Sequence, residues 1–119
     1  MLQFVILTHN HPHLHWDLLL EQPGQEKLRT WRLAHPPKRG VSIAAERLPD
    51  HRRVYLTYEG PISGNRGEVV RWDWGEYDWF GDSPQEIRLK FQGQRTHGVA
   101  VISESSTGEW SFQLLQSED

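Results

Sequence analysis

Residues 14–33 read LHWDLLLEQPGQEKLRTWRL. In the first half Leu14, Trp16, Leu18 and Leu20 leave an extended chain on one side, and His15, Asp17, Leu19 and Glu21 leave it on the other. A period of two is the signature of a strand, because successive side chains project to opposite faces of a pleated backbone. Gln22-Pro23-Gly24-Gln25 then supplies turn chemistry, and Lys27–Leu33 reads as the returning strand, so the segment predicts a β-hairpin. The same grammar continues on either side. Strands are expected at LQFVILT (2–8), RRVYLTY (52–58), GEVVRWDWGEY (67–77), EIRLKFQG (86–93), HGVAVIS (97–103) and EWSFQLL (109–115), separated by Gly, Pro, Asn and Ser clusters. IAAERL (43–48) alone reads as a helical turn, and it is too short to stand by itself. The expectation is an all-β chain, a small antiparallel β-barrel with long connecting loops and little helix.

The length of 119 residues leaves room for one domain, expected over residues 1–115 with 116–119 as a flexible tail. Six Trp, three Tyr and four Phe supply large core pieces that a disordered chain lacks. The sequence has no Cys, which excludes a disulfide scaffold, a thiolate zinc site and a cysteine nucleophile. No apolar run is long enough to cross a membrane as a helix, and MLQFVILTHN lacks the basic start of a signal peptide. A soluble cytoplasmic protein with no membrane partner is expected. The formal charge of −3 hides an uneven distribution, with ten Lys and Arg against four acids between residues 27 and 71. Such a basic middle suits either a phosphate-facing patch or a set of solvated strand faces.

Chemistry concentrates in His9-Asn10-His11-Pro12-His13-Leu14-His15-Trp16-Asp17. Imidazole nitrogen and carboxylate oxygen are good ligands for Mn, Fe or Zn. On a strand His15 and Asp17 point the same way and can grip one ion. His9 precedes Pro12, and a loop interrupted by that proline is expected to fold it back onto the same ion. Two His and one Asp would leave positions open for water and substrate. The bland alternative is a chance cluster of exposed histidines. His51, in Asp50-His51-Arg52-Arg53-Val54-Tyr55, suits holding a phosphate or acting as general acid, and on a strand Tyr55 would share its side. Glu59–Gly67, with glycines at 60, 64 and 67, reads as a structural loop and not a P-loop, because no Lys-Ser/Thr follows. Trp72, Trp74, Tyr77 and Trp79 suit stacking on bases, but alternating large aromatics in a barrel are more often core.

The spacing His9-(five residues)-His15-x-Asp17, followed by His51-(three residues)-Tyr55, resembles the 3′-phosphoesterase domain of bacterial DNA ligase D and its stand-alone relatives. The resemblance continues through Trp31, Tyr58-Glu59-Gly60, Ile62, Trp72-Asp73-x-Gly75-x-Tyr77, Arg95, Gly98, Ile102 and Trp110. It implies a small β-barrel with its site in a groove on one side. It further implies an Mn²⁺-dependent enzyme of DNA repair that removes a terminal ribonucleoside and then the 3′-phosphate, leaving a 3′-OH. The metal ligands implied are His9, His15 and Asp17, and other divalent transition metals suit the same donors. The phosphate-contacting residues implied are His51 and Tyr55. The partners implied are nucleic acid 3′ ends, with a separate ligase or polymerase acting in trans. Three departures stand out: Leu19 replaces the Arg of His-x-Asp-x-Arg, His35 replaces a Lys, and Ile43 lies near a second Arg position. Arg39, Arg47, Arg52 and Arg53 are the candidate replacements. Two other readings stay open: a metal-bearing module of the same fold that binds strand ends or a partner without catalysis, and a β-barrel that binds a small molecule.

Overall fold

Strand β1 (Leu2–His9) is the seam of the molecule, because it is hydrogen-bonded on both sides. The other strands of the computed structural model are β2 (His15–Leu20), β3 (Leu28–Leu33), β4 (Ser42–His51), β5 (Gly60–Pro61), β6 (Glu68–Ser83), β7 (Glu86–Gly93), β8 (His97–Glu104) and β9 (Trp110–Leu114). Their order is β1-β2-β3-β4-β9-β8-β7-β6-β5, every ladder is antiparallel, and a further β1–β6 ladder closes the sheet into a barrel-like ring. Closure removes the unpaired edges that an open sheet would expose. The structure describes residues 1–116, and the rest of the expected tail, 117–119, lies outside the described residues. No helix among the described residues is long and apolar enough to cross a membrane.

Apolar side chains form two layers. Phe4, Ile6, Leu18, Leu20, Trp31 and Phe91 belong to the interior of the ring. Val5, Leu7, Leu19, Leu28, Leu56 and Val69 form a second cluster on the outer face of β1 and β2. Those two strands are therefore buried on both sides, which is why FVIL and LLL run without polar interruption. The hairpin of residues 14–33 forms as expected, with β2 and β3 joined by a turn in which the Gln25 amide donates to the Gln22 carbonyl.

Two expected elements differ. Residues 52–58 are not a strand: Arg53–Leu56 is a short 3₁₀ helix that drops Leu56 into the outer layer. Burying one apolar side chain there outweighs the β-propensity of Val54 and Tyr55. Residues 43–48 are not helical but part of β4, paired with both β3 and β9, with Ile43 buried in the interior. Two neighbouring ladders override a weak local helix preference.

One buried carboxylate ties the far side together. Asp73 on β6 is fully buried and accepts backbone N–H bonds from Trp74 (2.8 Å), Gln94 (2.7 Å), Arg95 (3.1 Å) and Thr96 (2.8 Å). Gly93 must be glycine beside it, since a Cβ would sit 2.5 Å from Asp73 Oδ2 and 2.7 Å from Phe4. Tyr77, four residues on, donates its hydroxyl to the Glu21 carbonyl, and burial pushes its phenol up to about 12. Asp73→Ala strands these amide donors, that of Thr96 fully buried, and is expected to cost ~3 kcal/mol of stability in chemical denaturation; an unchanged midpoint would contradict this assignment.

Candidate functional site

The outer layer ends in polar residues. His9, the last residue of β1, lies directly opposite His15, the first of β2. Residues directly opposite in an antiparallel pair share a face, and Asp17 joins them two positions along β2. Strand pairing therefore delivers His9, and no loop folds it back as the sequence suggested. His9 Nδ1 lies 3.8 Å and His15 Nε2 3.3 Å from Asp17 Oδ2, and the three donors lie within 4.8 Å of one another. His15 and Asp17 are buried and His9 is half-buried.

Backbone carbonyls fix the imidazoles. His9 Nε2–H donates to the Arg66 carbonyl at 2.8 Å, which leaves Nδ1 as the lone-pair nitrogen. His15 Nδ1–H donates to the His13 carbonyl at 2.8 Å, which leaves Nε2. A carbonyl only accepts, so each bond selects one tautomer. The two free lone pairs are the nitrogens nearest the Asp17 carboxylate. Their separations from it exceed the ~2.7–2.9 Å of a charge-assisted hydrogen bond. Among the described residues, His15 Nε2 and Asp17 Oδ1 are buried without a hydrogen-bond partner. Orphaned buried polar atoms are costly, and a cation shared by His9, His15 and Asp17 would offset that cost. Arg32, opposite Asp17 on β3, brings its Nε to 4.0 Å from Oδ1.

A cavity of about 320 Å³ opens beside this group, lined by His9, Asp17, His51, Arg52, Tyr55 and Arg66 among others. His51 ends β4 and donates Nδ1–H to the Pro49 carbonyl at 2.9 Å, so Nε2 is its free nitrogen. The Tyr55 ring lies edge-on to His51 at 6.1 Å, and Arg52 sits 5.6 Å over the Tyr55 ring. The 3₁₀ helix, rather than strand parity, brings Tyr55 to the side of His51. Asp50 also lines the cavity. Burial raises its carboxyl, but hydrogen bonds from Gln22 and Arg47 and the charges of Arg47 and Arg29 outweigh that, so it sits below its ordinary value.

Packing accounts for two of the three departures, and nothing in the structure explains His35. Leu19 is sealed in the outer apolar layer, Ile43 is buried in the interior, and His35 is exposed. Of the four candidate replacements only Arg52 lines the cavity. Arg47 is paired with Asp50, Arg53 with Glu21, and Arg39 donates to the carbonyls of His97 and Leu115. Arg66, which the sequence did not single out, also lines the cavity, and it comes from the glycine loop read as structural. Its only signal was one cation between Asn65 and Gly67, a pattern shared by any solvated turn. Among the described residues neither Arg52 nor Arg66 is paired with a carboxylate.

The family model for the DNA ligase D 3′-phosphoesterase domain matches residues 7–112. The multifunctional non-homologous end joining protein LigD of Mycolicibacterium smegmatis (strain ATCC 700084 / mc(2)155) is 27% identical over 134 residues, spanning 98% of this chain and 17% of that protein. The chain thus corresponds to a small part of that relative.

The carbonyl contacts give a spectroscopic expectation. Long-range ¹H–¹⁵N spectra should show His9 as the Nε2–H tautomer and His15 as the Nδ1–H tautomer. The reverse tautomers would turn both lone pairs away from Asp17 and remove the basis for a shared ion.

Proposed function

The chain belongs to the DNA ligase D 3′-phosphoesterase domain family, and from that premise we propose that it is a divalent-metal phosphoesterase that trims the 3′ ends of nucleic acid strands. The observation that carries this reading is the meeting of His9 Nδ1, His15 Nε2 and Asp17 Oδ2 beside a cavity lined by two cations free of carboxylate partners. His9, His15 and Asp17 would hold Mn²⁺, or another ion that accepts nitrogen and oxygen donors. When bound, such an ion supplies Lewis-acid polarisation of a phosphoryl oxygen.

The remaining work falls to the protein's own side chains. The planar forks of Arg52 and Arg66 take phosphate oxygens, in place of the guanidinium that Leu19 lacks. With Nδ1–H held by Pro49, the imidazolium form of His51 carries a second proton, on Nε2, to donate to a phosphoryl oxygen or pass to the leaving oxygen. Tyr55, between His51 and Arg52, fixes the position of both. In the cytoplasm the 3′-OH product would pass to a separate ligase or polymerase acting in trans. A second reading, a metal-bearing module that binds ends without turnover, is favoured by Leu19 and Ile43, whose burial closes off strand positions at or near which the resemblance places cations.

The test is Mn²⁺-dependent release of phosphate from a 3′-phosphorylated oligonucleotide, run alongside equilibrium dialysis of the metal. His9→Ala and His15→Ala should lose both metal and activity, while His51→Ala should keep the metal and lose activity. Arg66→Ala keeps the backbone carbonyl that holds His9, so it should bind metal normally and lose about 10²–10³ in rate. Full activity in His15→Ala would overturn the metal assignment. Stoichiometric metal without turnover in the unaltered protein would establish the binding module instead.

A further inference from the structure

We propose that a second cavity, beyond Tyr55, receives the base of the nucleotide whose 3′-phosphate occupies the first. This cavity measures about 280 Å³ and shares Arg52, Tyr55 and Ile62 with the phosphate cavity, so the two adjoin across these side chains. Past the shared residues its walls are Val54, Tyr58, Pro61 and Ser63. The Tyr55 and Tyr58 rings stand 5.9 Å apart and nearly perpendicular, at 87°. The Tyr58 hydroxyl donates to the Pro61 carbonyl, which pins that ring against the β5 strand. Val54 is 52% exposed on the 3₁₀ helix, an apolar side chain that the helix presents outward while Leu56 is buried.

The chemistry of these walls selects a planar ligand. Aromatic faces and an apolar surface stack on any nucleobase. The one side-chain hydroxyl past Tyr58 is that of Ser63, which can donate or accept, and among the described residues no carboxylate or amide side chain lines the walls, so the subsite should accept every base with little preference. A phosphate held by Arg52 and a base held beyond Tyr55 are joined by one sugar, which makes the junction at Tyr55 the place for the ribose. This inference rests on the phosphate reading of the first cavity and is independent of turnover.

Calorimetric titration with adenosine 3′-monophosphate and with inorganic phosphate tests it. The nucleotide should bind about tenfold more tightly than phosphate. Val54→Trp fills the second cavity and should erase that advantage with phosphate affinity unchanged, and Tyr58→Leu should reduce it several-fold. Equal affinity for the two ligands in the unaltered protein, or an advantage that survives Val54→Trp, would overturn the subsite while phosphate binding sensitive to His51→Ala still supports the first cavity. Binding of neither ligand would overturn both.

Discussion

The site depends on the register in which β1 pairs with β2. His9 faces His15 because Phe4 faces Leu20 and Leu7 faces Asp17 along the same ladder. A slip of one residue would carry His9 and Leu7 to the interior side of the sheet and turn Ile6 outward, so the apolar layers enforce the position of the polar group. β1 is held again by β6, through a ladder running from Leu2↔Tyr77 to His9↔Val69. The ligand group therefore stands on strands packed on both faces, which is the rigid support that a shared cation requires. The cost of bringing two imidazoles and a carboxylate together is borne by the surrounding core rather than by the loops.

Much of this was legible in residues 14–33, where the alternation through His15, Trp16, Asp17 and Leu18 gives both the hairpin and the side on which His15 and Asp17 lie. The pairing partner of His9 was not legible, because the proline-containing stretch 10–14 suggested a loop-borne ligand, whereas the strand simply runs on to residue 9. Local propensity also misled at 43–48 and 52–58. Ile43 is claimed by the interior, and Leu56 by a layer formed from residues far away in sequence. Such layers exist only once the ring has closed, and no window of sequence contains them.

The cations illustrate the same limit. Leu19 and Ile43, at or near the positions where the resemblance implies guanidinium groups, are both buried. The charges at the cavity come instead from loop residues, Arg52 after β4 and Arg66 before β6. Arg66 has two parts to play, since its carbonyl holds His9 in one tautomer while its side chain lines the cavity. Coupling a ligand's orientation to the loop that brings a phosphate-facing charge is an arrangement peculiar to three-dimensional proximity, 57 residues apart in the chain.

The most direct test is a crystal of the protein grown with Mn²⁺ and measured across the manganese absorption edge. The account predicts one anomalous peak within coordination distance (about 2.0–2.2 Å) of His9 Nδ1, His15 Nε2 and Asp17 Oδ2, with both imidazoles keeping their carbonyl bonds. A peak bound elsewhere, or one that leaves His9 or Asp17 uncoordinated, would contradict it.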